Sequence, residues 1–232
     1  MKNVKISYAT AAGRQHQKDN MPCQDIIAVR KKNDVCTLVL CDGAGSKEYG
    51  LECAQTVSSV TADYLTNNFS TFTKDVLIEK INTALEEKGY TDKNSGTTLL
   101  FVACDDKSFI LGHVGDGVIL MRAASGIKTI SKPENGHLEN ITYFLPSEEA
   151  KEHFFSQKGP LGAKTAFILA SDGASSLLYD PQTLKGAPAC AKLISWLKEN
   201  DEEEGNELLQ ENIEQIFREY TSDDISIAVM TN

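Results

Sequence analysis

The stretch "TLVLCDGAGSKEYG", Thr37–Gly50, runs strand-forming residues straight into Asp42-Gly43 and then into a turn of small residues. The pair recurs as Asp116-Gly117 in "LGHVGDGVIL" and as Asp172-Gly173 in "FILASDGASSLL", each time behind an apolar run. Taken alone, an Asp-Gly reads as a turn, because both residues tolerate positive φ. Copies at the ends of successive strand-like runs gather carboxylates at one end of a sheet.

Outward from that stretch, "VKISYA", "DIIAV" and "VCTLVLC" read as strands. After Asp42-Gly43, Leu51, Ala54, Val57, Val60, Ala62 and Leu65 recur at near-helical spacing, with Ser46 as the expected N-cap. "TKDVLIEKINTALEEKG" is a second helix that ends on Gly89. A strand-dense block follows: "GTTLLFVACDD", "SFILGHVGDGVILMRAA", "GIKTIS", "ITYFL" and "AFILASDG". Short links such as Asp105-Asp106-Lys107 and Ala124-Ser125-Gly126 favour antiparallel hairpins. Then come two helices, "PACAKLISWLKEN" and "EGNELLQENIEQIFREY", and a closing strand, "DDISIAVMT". Strands in runs and helices in pairs predict an α+β fold with helices on antiparallel sheet. A doubly wound parallel sheet would alternate the two.

At 232 residues the chain fits one large domain, 1–232, in preference to two small ones. With 41% hydrophobic and 24% charged residues it reads as a soluble globular protein. No apolar segment approaches membrane-spanning length, and the N-terminus is too polar for a secretory signal. Six cysteines without C-x-x-C pairing argue against zinc and disulfides, and for reduced thiols in the cytoplasm. The net charge of −10 disfavours nucleic acid. Part of that charge lies in "KENDEEEGNE", read as a solvated loop between helices.

Strand-end aspartates, each followed by glycine, suit an oxygen-ligated divalent cation. Gly43 lets the backbone approach closely enough for a main-chain carbonyl to join the ligands. Carboxylate, carbonyl and water favour Mg²⁺ or Mn²⁺ over zinc. "TSDDISIAVM" brings Asp223 and Asp224 to the same rim.

The ordered set "CQD", "LCDGAGS", "GTTLLFV", "HVGDGVILMR", "ILASDGASSLL" and "SDDISIAVM" resembles the metal-dependent type 2C serine/threonine protein phosphatases, in their compact bacterial branch. "HLENITYFL" resembles a segment of that branch, and the likeness runs from about Gly13 to Met230. It implies a sandwich of two antiparallel sheets flanked by helix pairs. It implies that Asp42 bridges two cations with the Gly43 carbonyl on one, that Asp172 and Asp223 ligate the same centre, and that Asp116 helps hold a weaker third. Asp25 would orient the attacking water. A phosphoprotein substrate, a cognate kinase and a monomeric enzyme go with that reading. Two ions roughly 3.5–4 Å apart would share a water and aim it at phosphorus, with no covalent intermediate. Gln24 replaces the glutamate that usually precedes Asp25, and Ala44 stands where many members carry a histidine general acid. Arg14 is the candidate phosphate-binding arginine, although it lies farther upstream than usual, and His16 is the substitute proton donor.

Plainer readings stand beside these. Asp116 also fits a hairpin turn, and Asp224 an exposed or capping neighbour. His113 reads as packed within a strand, His16 and Lys18 as a solvated loop, Arg122 as a surface ion pair, and Trp196 as core. A phosphatase-like binding or scaffold protein is the alternative function. An aspartyl-phosphate hydrolase would want D-x-D, which "DGAGS" lacks.

Overall fold

In the computed structural model, residues 4–134 and 142–232 are described. The chain has two compact units, Gln24–Gly117 with Pro133–Leu161, and Lys2–Cys23 with Val118–Lys132 and Gly162–Asn232. Each carries a five-stranded antiparallel sheet with its own helices, so the α+β class holds.

The first unit orders its strands β2-β3-β4-β5-β8. These are β2 (Asp25–Lys32), β3 (Val35–Asp42), β4 (Leu99–Cys104), β5 (Ser108–Val114) and β8 (Phe155–Pro160). Val39 and Cys41 of β3, with Phe101 and Ala103 of β4, face α2 (Gly50–Asn68) and α3 (Lys74–Glu86). Leu77, Ile81 and Leu85 recur every four residues on α3 and are fully buried, which gives that helix its apolar stripe. Phe72, Phe101 and Phe154 pack edge to face or tilted, with centroids 6.0 and 6.2 Å apart.

The second unit runs β1-β10-β9-β6-β7. Its strands are β1 (Lys5–Ala11), β6 (Val118–Ala123), β7 (Gly126–Ser131), β9 (Ala166–Ala170) and β10 (Ile225–Thr231). Ile168, Ile227 and Val229 bury against Cys190, Leu193, Ile194 and Leu197 of α6 (Pro188–Glu199) and Leu209 of α7 (Glu202–Asn212). Trp196 packs half-buried at the margin of this core. Short helical turns α1 (Arg14–Lys18) and α5 (Asp172–Ser175) complete the unit, and α4 (Glu148–Glu152) belongs to the first. Among the described residues, no helix is long and apolar enough to cross a membrane.

Several expectations are corrected. Ser46 caps nothing: Lys47 and Gly50 close turns onto Ala44 and Lys47 carbonyls, and α2 starts only at Gly50. "DEEE" is not a loop. Asp201 and Glu204 form a capping box, and Glu202–Glu204 make the first turn of α7, where acidic residues favour the helix dipole. "ITYFL" forms no strand over its described residues; Leu145 only bridges Thr97, and Ile141 lies outside the described residues. The sequence reading missed β8, "FSQKGP", because an exposed edge strand with Lys, Gly and Pro carries no apolar alternation. The Asp116 turn is not a hairpin, since β5 and β6 belong to different sheets.

Candidate active site

In the first unit Asp42 is the last residue of β3, and its backbone is fixed on two sides. Its N–H donates to Thr98 Oγ1 at 3.0 Å, and its carbonyl accepts from Thr98 N–H and Thr97 Oγ1, both at 2.9 Å. The antiparallel register sets Asp25 directly opposite Asp42. Facing residues in such a pair have Cβ atoms about 4.5–5.5 Å apart, so two carboxylates meet at close range. Asp25 is only 3% exposed, while Asp42 is half-buried. Burial, with Cys53 next, raises the Cys41 thiol well above its ordinary pKa; a hydrogen bond to Thr97 opposes this, and Asp42 and Asp25 add smaller contributions. Such a like-charge pair fits a divalent cation and is destabilising without one.

Gly43 continues the strand as a bridge to Thr97, and its N–H donates to Gln24 O at 3.2 Å. A Cβ here would sit 2.6 Å from Gly50 O, so only glycine permits this approach of β3 to the start of α2. Ala44, next in line, is 5% exposed, beside Gly96 and with its N–H bonded to the Gly96 carbonyl. Asp116 follows Gly115, whose φ is +108°, and its carboxylate accepts the Thr142 hydroxyl. Sequence reading gave no signal for Thr142, which lay inside an apparent strand.

In the second unit Asp172 opens the single turn of α5, and its Oδ1 accepts the Gly173 N–H at 2.7 Å. A Cβ on Gly173 would lie 2.1 Å from Asp224 O and 3.5 Å from Asp223 Cβ, so this turn lies directly against the Asp223-Asp224 segment. Ser171 ties the same elements by two bonds to Ser226. Asp223 is exposed, and one of its oxygens accepts the Asp224 N–H at 2.8 Å.

Of the two plainer readings of Asp224, exposed or capping, the structure excludes the exposed one. The residue is 4% exposed and accepts from Gly13 N–H at 2.6 Å, with His16 Nδ1 at 2.8 Å. His16 therefore stands on a buried carboxylate rather than in a solvated loop. Arg14 gives Nη2 to the carbonyls of Arg218 and Glu219, at 2.7 and 3.2 Å, at the end of the last helical segment. That contact anchors α1 and occupies one face of the expected phosphate-binding guanidinium.

The structure thus brings Asp25 to Asp42, and Asp172 to Asp223. Among the described residues, no group of three or more His, Cys, Asp or Glu side chains is already gathered closely enough to hold a metal. The thiols of Cys53, Cys104 and Cys190 are poor nucleophiles. Burial pushes the Cys53 and Cys190 thiols up to about 11 and Cys104 to about 12. His113, 2% exposed in β5, is held by burial down at about 4 and is neutral.

The chain is 23% identical over 162 residues to serine/threonine-protein phosphatase 3 of Escherichia coli strain K12, covering 63% of this chain and 64% of that protein. It therefore spans a little under two thirds of that relative's length. The S. agalactiae serine/threonine phosphatase structure superposes with a TM-score of 0.71 at 21% identity, over 99% of both chains. The catalytic domain of the serine/threonine phosphatase PstP, solved in complex with two manganese ions, superposes with a TM-score of 0.62 at 17% identity, over 98% of this chain and 97% of that one. The profile of the protein phosphatase 2C family matches residues 12–218, and the chain belongs to that family.

Proposed function

We propose that this protein is a metal-dependent phosphatase of phosphoserine and phosphothreonine proteins, working in the cytoplasm as one catalytic domain. The observation that carries the reading is the cross-strand pair of Asp25 and Asp42, two carboxylates set face to face at the end of a strand whose backbone Thr97 and Thr98 hold in place. Like charges set directly opposite are destabilising, and a cation bound between them relieves the repulsion. The unbroken family match across both units supports a single catalytic domain.

In this reading Asp42, the Gly43 carbonyl, Asp172 and Asp223 hold two Mn²⁺ or Mg²⁺ ions, and Asp116 contributes to a weaker third. When bound, the cations supply activated water for in-line attack and neutralise charge on the phosphoryl oxygens. The chain's own part is positioning. Thr97 and Thr98 fix the Asp42 backbone, Asp25 orients from its buried place, and Ser171 and Ser226 lock Asp172 to the Asp223 segment. Thr142 aims the Asp116 carboxylate.

The test is phosphate release from a phosphothreonine peptide with Mn²⁺, with excess chelator, and with Asp42→Asn. Release in Mn²⁺ that stops in chelator and falls at least about 100-fold in Asp42→Asn is the expected result. Undiminished release in chelator would sink the metal assignment. A well-folded protein that binds Mn²⁺ and a phosphoprotein but releases no phosphate would favour the scaffold reading.

A further inference from the structure

We propose that His16 donates the proton to the departing serine or threonine oxygen, and that Asp224 is the positioning residue that holds it for this task. The proposal deepens the phosphatase reading and rests on it.

A carboxylate at 4% exposure is costly to bury unless donors compensate it. Asp224 Oδ1 is served by the Gly13 N–H and by His16 Nδ1. An ionised carboxylate only accepts, so Nδ1 carries hydrogen and Nε2 is the ring atom left to exchange a proton. A buried carboxylate behind Nδ1 fixes the orientation and tautomer of the ring, as in other Asp–His pairs. The imidazole keeps 20% of its side-chain surface exposed, so solvent and small solutes have access to the ring.

The pair is built into the segment that carries the acids. Asp224 follows Asp223 directly, and its N–H bonds Asp223 Oδ1. Gly13 approaches this segment so closely that a Cβ would lie 2.4 Å from Ser222 O. The His16 carbonyl accepts the Met21 N–H at 2.8 Å, which closes the turn around the ring. Displacing α1 would therefore disturb the backbone beside Asp223.

Chemistry calls for a proton donor, and Ala44 has no side-chain proton to supply. As the water oxygen bonds to phosphorus and the ester P–O bond breaks, its electron pair goes to the leaving oxygen. That oxygen takes the His16 Nε2 proton and leaves as an alcohol. The proton lost by the attacking water returns to the imidazole through solvent, so inorganic phosphate and alcohol form and the side chain is reset. General-acid help of this kind is worth about 10²–10⁴-fold.

The experiment compares full-length wild type, His16→Gln, Asp224→Asn and the exposed control Gln17→Ala, each with Mn²⁺, on phosphothreonine peptide and on aryl phosphates of graded leaving-group pKa. Thermal melts verify that each variant is folded. His16→Gln puts a neutral amide in place of the imidazole and has no proton to give. It should lose about 10²–10⁴-fold on the peptide, lose far less on nitrophenyl phosphate, and show a steeper leaving-group dependence. Asp224→Asn should steepen it in the same sense, by about tenfold or more on the peptide, and Gln17→Ala should match wild type. Equal losses on every ester, or a His16→Gln enzyme as fast as wild type on the peptide, would overturn the assignment. A wild type that hydrolyses no ester would overturn the phosphatase reading itself, and this proposal with it.

Discussion

Adding one methyl group at Gly173 tests whether the second-unit acids are held by close backbone contact. A Cβ there would come to 2.1 Å from Asp224 O, whereas real contacts stay above 3.0 Å, a shortfall of roughly 0.9 Å. The obstacle is a main-chain carbonyl at the entry to β10, and Asp224 is pinned by Gly13, His16 and Asp223, so it cannot swing aside. Relief must come from moving α5, and Asp172 moves with it. Overpacking of this kind costs about 1–3 kcal/mol. At this chain length each kcal/mol lowers Tm by about 2–4 °C, so Gly173→Ala should melt roughly 2–12 °C lower in chelator. It should also need more Mn²⁺ for half-maximal stabilisation. Gly162→Ala is the control: its new Cβ would meet only Thr165 Oγ1 at 3.4 Å, and its effect should stay within about 0.5 kcal/mol. Differential scanning calorimetry with and without Mn²⁺ reads both. A Gly173→Ala protein that melts and titrates like wild type would show that the contact with Asp224 is slack and the argument wrong.

Ala44→His should not restore a general acid at the first motif. Ala44 is 5% exposed against Gly96, so an imidazole there costs about 1–3 kcal/mol of overpacking; a variant that is as stable as wild type and faster on phosphopeptides would refute this. His113 gives a pH signature. Burial depresses its pKa from 6.5 to about 4, so the stability tied to its neutral form is complete above pH 6.5 and is lost as pH falls toward 4. The difference amounts to about 3 kcal/mol. Denaturant melts of wild type and His113→Gln across that range should diverge by about this amount, and parallel curves would count against a neutral buried histidine.

The sequence made most strands legible because β3, β4, β9 and β10 are apolar along nearly their full length and buried on both faces. Periodicity also found α2, α3 and α6, whose apolar residues fall on one stripe. It failed where local chemistry outweighed pattern. An acidic run became a helix start because Asp201 and Glu204 cap each other, and polar "FSQKGP" became an edge strand because its neighbour β5 offered a free edge. The candidate acids were legible by motif, but their supports were not. Nothing in "TSDD" distinguishes the exposed Asp223 from the buried Asp224, since that depends on Gly13 and His16, more than 200 residues away in the chain.

The repeated Asp-Gly pair finally has a physical reason other than a turn. None of its copies joins two hairpin strands. Asp42-Gly43 runs on into a bridge with Thr97, Asp116-Gly117 links strands of different sheets, and Asp172-Gly173 begins a helical turn. What the first and third share is a backbone oxygen pressed where a side chain would be: Gly50 O at 2.6 Å from a Cβ on Gly43, and Asp224 O at 2.1 Å from one on Gly173. At the second, the glycine before the acid does this work, with Thr98 Cγ2 at 2.6 Å from a Cβ on Gly115. Thr98 is also the residue whose hydroxyl holds the Asp42 N–H, so one threonine braces two of the acids within the first unit. Each of these three acids thus sits next to a glycine held by close packing, a placement that in the proposed reading would fix charge before a cation arrives.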